Sequence, residues 1–201
     1  MRTAIAAMVR TAGMNNKAPI LNVDWRQALT TREGALWRAL SGTLVTANLN
    51  SLPLDWAARL SVGGTNLSYF IMKQLPVLRP DAYLEAPAPG APPFVALIAP
   101  RAFELTYTGT ALAGYAQDLG YEGPPFPWDE ARRHALRSAL DALYAAMYGL
   151  DRQELAWVLD AGTPSVSFPG LKQQEVQAFG EYRTRRLVLD AYDCLARDGT
   201  L

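Results

Sequence analysis

The sequence predicts an α+β fold, a small mixed domain followed by a mainly helical C-terminal tail. Three observations carry that expectation. Residues 3–9 (TAIAAMV) and 43–47 (TLVTA) are apolar runs of strand length containing β-branched residues. From residue 128 onward the apolar positions recur at helical spacing. Between the two lie Pro-rich stretches, 76–93 (PVLRPDAYLEAPAPGAPP) and 123–127 (GPPFP), which read as joints. The predicted layout is a domain over 1–80, a Pro-rich linker over 81–100 and a helical region over 101–201.

Taken in order, residues 24–40 (DWRQALTTREGALWRAL) hold helix formers, with a capping box at Thr30-x-x-Glu33 ahead of an apolar run. Residues 49–60 read as a loop entering a helix, with Pro53 in its first turn. VGGTN then interrupts, and 67–73 (LSYFIMK) is a short apolar helix or strand ending at QLPVL. Residues 128–149 form a strong helical pattern, with Leu136, Leu140, Leu143, Tyr144 and Met147 on one stripe and Arg133, Arg137 and Asp141 mostly off it. Asp129 and Glu130 suit the positive end of that helix, and Gly149 stops it. Asp151 and Glu154 make a capping box for the next helix, stapled by Leu150 and Leu155 and ending near Leu159. A last helix is expected over about 173–197, turning Val176, Phe179, Leu187, Ala191 and Leu195 inward.

Composition excludes several classes. Of 201 residues half are hydrophobic and 19% charged, which rules out a disordered chain. One Cys and one His support neither a disulfide framework nor a structural zinc site. No apolar run reaches the ~18 residues of a membrane span. The opening MRTAIAAMVRTAGM does not read as a secretory signal, so the expected location is cytoplasmic. The zero net charge conceals an asymmetry. Residues 1–80 carry nine basic and three acidic groups, and residues 81–201 carry 10 basic and 16 acidic ones. A basic half joined to an acidic half suits a polyanion-facing surface on the first and a solvated or protein-facing second.

Enzymatic signatures are missing. His134 stands on a helix with no Ser or Cys nucleophile elbow nearby, and there is neither a G-x-G-x-x-G nor a P-loop. APPF at 91–94 and GPPF at 123–126 lack the Asn or Asp that would hold a target amine, so both read as turns.

The most informative stretch is 47–78, ANLNSLPLDWAARLSVGGTNLSYFIMKQLPVL. Gly63-Gly64 frees the backbone, and Thr65 or Asn66 is placed to cap a following helix. A helix start with bare amides binds phosphate readily, and Arg59 and Lys73 flank it with cations. The competing reading is a plain interhelical turn.

The order N-S, then D and R, then G-G-T-x-L, then K-Q-L-P-V-L resembles the specificity region of TaqI-like and type IIG adenine-specific DNA methyltransferases. These are large proteins of restriction-modification and phage-defence systems, including the DISARM and BREX methylases. In that resemblance Asn50-Ser51 match the "LNS" helix start, and Asp55 and Arg59 the helix. Gly63, Gly64 and Thr65 match the turn, and Gln74, Leu75, Pro76 and Val77 an exit strand. Asn66 departs from the bulkier polar residue expected there. RTAIAAMVRTAG at 2–13, the stretch from FELTYTGT through LYAAMYGL at 103–150, and FGEYRTRRLVLDAYD at 179–193 extend the resemblance over nearly all 201 residues, as the C-terminal end of such proteins.

The resemblance implies a target-recognition fragment that binds double-stranded DNA through Arg59, Gly63, Gly64, Thr65, Asn66, Lys73 and Gln74, with loops between residues 10 and 50 reaching base edges. It implies no cofactor in this chain, S-adenosylmethionine being expected in a separate methyltransferase domain or subunit. That domain or subunit is then the protein partner, and no membrane is involved. A cluster in EYRTRR, Arg183, Arg185 and Arg186, is either a phosphate contact or a face paired with Glu181 and Asp190. The alternative function is a helical docking module of a defence complex that never reads DNA, with Tyr144, Tyr148, Trp157 and Tyr192 at its interface.

Overall fold

A computed structural model describes residues 6–8, 32–62, 69–161 and 167–201. Nine α-helices occur among them: α1 (Arg32–Leu49), α2 (Leu52–Ser61), α3 (Tyr69–Met72), α4 (Phe94–Thr106), α5 (Ala113–Asp118), α6 (Glu130–Met147), α7 (Arg152–Leu159), α8 (Pro169–Phe179) and α9 (Arg183–Asp198). Two 3₁₀ turns, Pro80–Leu84 and Thr110–Leu112, complete the regular structure. No strand occurs among the described residues, so the α+β expectation is corrected to an all-helical fold.

The first strand candidate, 43–47, lies inside α1. Its β-branched residues are accommodated because Thr43 donates its hydroxyl to the Ala39 carbonyl one turn back, at 2.7 Å, and the buried face of the helix packs on α4 and α5. Of the second candidate, 3–9, residues 6–8 are described and are irregular. The exit strand expected at 74–77 is irregular too, following α3 directly. The base-reading loops expected between residues 10 and 50 find no place in 32–49, which is helical; residues 10–31, which include 24–31 of the helix expected over 24–40 and Thr30 of its capping box, lie outside the described residues.

The Pro-rich stretch contributes to the core. Tyr83 from the first 3₁₀ turn and Phe94, Leu97 and Ile98 from α4 pack with Leu44 and Ala47 of α1, Leu140, Leu143 and Tyr144 of α6, and Leu195 of α9. One hydrophobic cluster thereby joins residues from 1–80, 81–100 and 101–201. A second unites Leu52, Ala142, Ala145, Leu155, Val158, Leu159, Phe168, Val188 and Leu189. A third, Leu49, Leu54, Ala58 and Leu75, seats the return from α3 against α1 and α2.

The tail follows its local signals closely, with two exceptions. Asp129 caps α6 by accepting from Arg132 N at 2.9 Å, and Asp151 with Glu154 forms the reciprocal box at α7. The single helix expected over 173–197 is two, because Gly180 adopts φ +76°, the left-handed conformation that ends α8. The break rotates α8 relative to α9, and Val176 and Phe179, expected inward, are exposed while Leu195 is buried. The second exception is Asp141, expected mostly off the apolar stripe but only 2% exposed.

Candidate nucleic-acid interface

The segment that carries the resemblance is held in place by five polar side chains. Ser51, at the N-cap of α2, donates its hydroxyl to the Asn48 carbonyl at 2.8 Å and leaves the α2 amides without a local side-chain cap. Asp141 of α6 serves them instead, its Oδ1 accepting from Leu52 N at 2.7 Å. A buried carboxylate at the positive end of α2 is favoured by the exposed amides and the helix dipole together. Asn48 accepts from Leu78 N at 3.1 Å and donates to the Tyr148 hydroxyl at 2.9 Å, which donates onward to the Pro76 carbonyl at 2.8 Å. Asn50 pairs with the backbone of Ala6 in both directions, at 2.8 and 3.1 Å. The ends of the α2–α3 segment are thus tied to α6 and to the N-terminal strip.

The predicted DNA-contacting residues divide into three groups. Arg59 is drawn into the fold: its Nε lies 3.2 Å from the fully buried Asp55 carboxylate, its guanidinium lies over the Phe168 ring at 4.7 Å, and 18% of the side chain is exposed. Lys73 and Gln74 are exposed on the turn that closes α3. Gly63, Gly64, Thr65 and Asn66 lie outside the described residues.

Elsewhere the tail neutralises its own cations. Arg132 pairs with Glu104, Arg137 with Glu130, Arg152 with Asp193, Lys172 with Asp160, and Arg197 with Asp198. In the EYRTRR cluster Arg186 sits between Glu181 and Asp190, at 2.9 and 3.4 Å, and Arg183 lies over the Phe179 ring. Of the aromatics proposed for an interface, Tyr144 is fully buried, Tyr148 and Tyr192 are half-buried, and Trp157 is exposed edge-on to Trp56.

A cleft of about 330 Å³ between α6, α8 and α9 contains His134. Glu175, buried on α8, caps α9 from outside that helix: its carboxylate accepts from Thr184 N at 2.7 Å and from the Thr184 hydroxyl at 2.5 Å. With that hydroxyl donating to Glu175, its oxygen accepts from His134 Nε2, 2.8 Å away. Burial holds the His134 pKa below its ordinary value, the nearby Glu175 carboxylate opposing the shift. The three groups hold a helix junction together. Among the described residues no cluster of three His, Cys, Asp or Glu side chains is placed to bind a metal, and no helix is long and apolar enough to cross a membrane.

Asp141, Asn48, Tyr148 and Phe168 are the positioning residues that pattern reading missed. For Asp141 a signal existed: an acidic residue set among Leu140, Ala142 and Leu143 has little reason to be there unless it meets a buried donor. Compared with protein-family models, curated proteins and solved structures, the chain matches none.

Proposed function

We propose that the chain is the target-recognition part of an adenine-specific DNA methyltransferase of a restriction or phage-defence system, binding double-stranded DNA beside a methyltransferase domain or subunit that holds S-adenosylmethionine. One observation carries the reading. The stretch bearing the resemblance is braced at both ends by a dedicated polar network, Asp141 to Leu52 and Tyr148 through Asn48 and Pro76, while the α3 turn between carries Lys73 and Gln74 on its surface. Bracing of this kind holds a short surface element rigid for recognition, and the helical tail is the brace. Phosphates are then met by exposed cations such as Lys73. Arg59 orients α2 from within.

The test is fluorescence anisotropy of the folded chain with mixed-sequence duplex DNA. Three phosphate contacts give about a fortyfold loss of affinity between ~50 and ~200 mM salt. No affinity at the lowest salt overturns the reading.

A second reading, a docking module without DNA contact, is favoured by the exposed Trp157 against Trp56 and by the self-paired charges of the tail. It is distinguished by a chain that binds the methyltransferase partner and leaves duplex DNA untouched.

A further inference from the structure

α6 has a second face besides the one it buries in the core. Glu130, His134, Arg137, Ser138 and Asp141 recur at helical spacing along it and line the cleft that α6 forms with α8 and α9. That cleft, of about 330 Å³, also has apolar walls in Phe168, Leu171 and Phe179. Most of its polar groups already have partners. Asp141 accepts from Leu52 N at the start of α2, and Glu175 accepts from Thr184 N at the start of α9, so each acid meets the positive end of a helix. Glu130 pairs with Arg137 at 2.8 Å, and His134 bonds to Thr184. Two groups are left over. Ser138 is only 2% exposed, and its hydroxyl has no hydrogen-bond partner among the described residues, a state that calls for a partner from outside the chain. Arg183 lies over the Phe179 ring at 5.2 Å and has no carboxylate at ion-pair distance among the described residues.

We propose that this cleft binds a small molecule bearing a carboxylate on an apolar body, at a site separate from the one proposed for DNA. Arg183 takes the carboxylate with its guanidinium fork, the Ser138 hydroxyl donates to the same group, and the body lies against Phe168, Leu171 and Phe179. The two polar groups converge because Thr184, next to Arg183, bonds to His134. Ser138 stands one turn along α6 from His134, about 5–6 Å away at Cβ. The charge balance favours an anion. With Asp141 and Glu175 set against helix ends and Glu130 against Arg137, Arg183 is left without a counter-charge in the cleft among the described residues. The Ser138 oxygen is covered in this structure, and α8 is the wall that yields to admit the ligand. Of its eleven residues Glu175 alone is buried, while Val176 and Phe179 are exposed, so few apolar contacts hold the helix in place. An apolar ligand supplies the contacts that α8 lacks. A concave site between helices, with a few convergent polar groups on apolar walls, is the usual form of a small-molecule pocket.

The experiment titrates the full chain with benzoate, phenylacetate and 3-phenylpropionate, and with the matching primary amides as uncharged controls. Binding is followed by NMR, in the ligand signals and in the backbone shifts of the protein. At least one acid is expected to bind, about tenfold more tightly than its amide, with shifts centred on Ser138 and Arg183. Arg183→Gln should bring the acid down to the affinity of the amide, and Arg183→Lys, which keeps the charge without the fork, should fall between. Ser138→Ala should weaken the acid about tenfold while leaving the melting temperature of the free chain no lower, because the hydroxyl has no internal partner to lose. A lower melting temperature for Ser138→Ala overturns the proposal by assigning that hydroxyl to the fold. Amides that bind as tightly as the acids, acid binding that survives Arg183→Gln, and shifts confined to another surface each overturn it too. So does a folded chain that binds no acid of the panel at millimolar concentration, and none of these outcomes touches the DNA-recognition reading.

Discussion

On the tail, six cations sit beside carboxylates of the same half of the chain: Arg132, Arg137, Arg152, Lys172, Arg186 and Arg197. The stretch from Trp56 to Pro80 has no carboxylate of its own, and it borrows the acids it needs, Asp55 for Arg59, Asp81 for Arg79 and Asp141 for the α2 amides. The two regions also differ in their aromatics, which are held by ring or cation neighbours on the tail and left in water at Phe70. The lesson is a division of labour: a helical body cross-linked by its own ion pairs supplies rigidity, and a short element clamped to it exposes an apolar ring at Phe70.

The comparison breaks if the regions are not mechanically joined, and the largest effect tests that. Ile98, fully buried in the cluster shared by all parts of the chain, should cost about 2–5 kcal/mol on substitution by Ala, within a single urea transition. Two transitions, or no loss, would mean that the Pro-rich stretch does separate independent units.

Next in size is Asp141→Ala, which strands the buried Leu52 amide and removes the α2 cap, an expected loss of about 2–3 kcal/mol. Asp141→Asn keeps an acceptor and should recover part of it. Tyr148→Phe removes the hydroxyl between Asn48 and Pro76 and should cost about 1 kcal/mol by thermal unfolding, with Asn48 left without that partner.

The helix junction adds a pH signature. The folded chain holds His134 below its ordinary pKa of 6.5, chiefly through burial, with Arg183 and Arg137 pushing the same way and Glu175 and Glu130 pushing back. The unfolded chain therefore binds that proton more readily. The contribution is fully present above about pH 6.5 and shrinks as the pH falls below it. Urea midpoints between about pH 7.5 and 5 should decline, and His134→Gln should flatten the decline. Smallest of all is Phe70→Ala, expected to change stability by no more than about 0.5 kcal/mol, since its ring is 74% exposed. A larger loss would assign the ring to the fold and remove the contrast between the regions.

What could be read in the chain and what could not follow from the range of the forces involved. The Asp129 cap, the Asp151/Glu154 box and the Pro53 helix start involve groups within four residues of one another, and each is where the pattern puts it. Residues 43–47 carry β-branched side chains that favour a strand locally, and burial of α1 against α4 and α5 outweighs that preference of a few tenths of a kcal/mol per residue. The break at Gly180 was missed because helical periodicity on either side of it looks continuous when the register shift is ignored. Of the residues proposed to contact DNA, Lys73 and Gln74 are exposed, and Arg59 is drawn inward, because a buried carboxylate four residues earlier and a ring more than a hundred residues later both attract it.

By itself the sequence determined the helical tail up to the break at Gly180, the starts of α6 and α7, the split of charge between the halves and the absence of carboxylates from 56 to 80. Each of these depends on composition or on neighbours along the chain. Only the tertiary structure decided that residues 43–47 are helical, that Tyr83 of the Pro-rich stretch reaches the core, and that Asp141 caps a helix 89 residues away. Those outcomes depend on which apolar faces and which unpaired backbone groups meet in space, and no local spacing records that meeting.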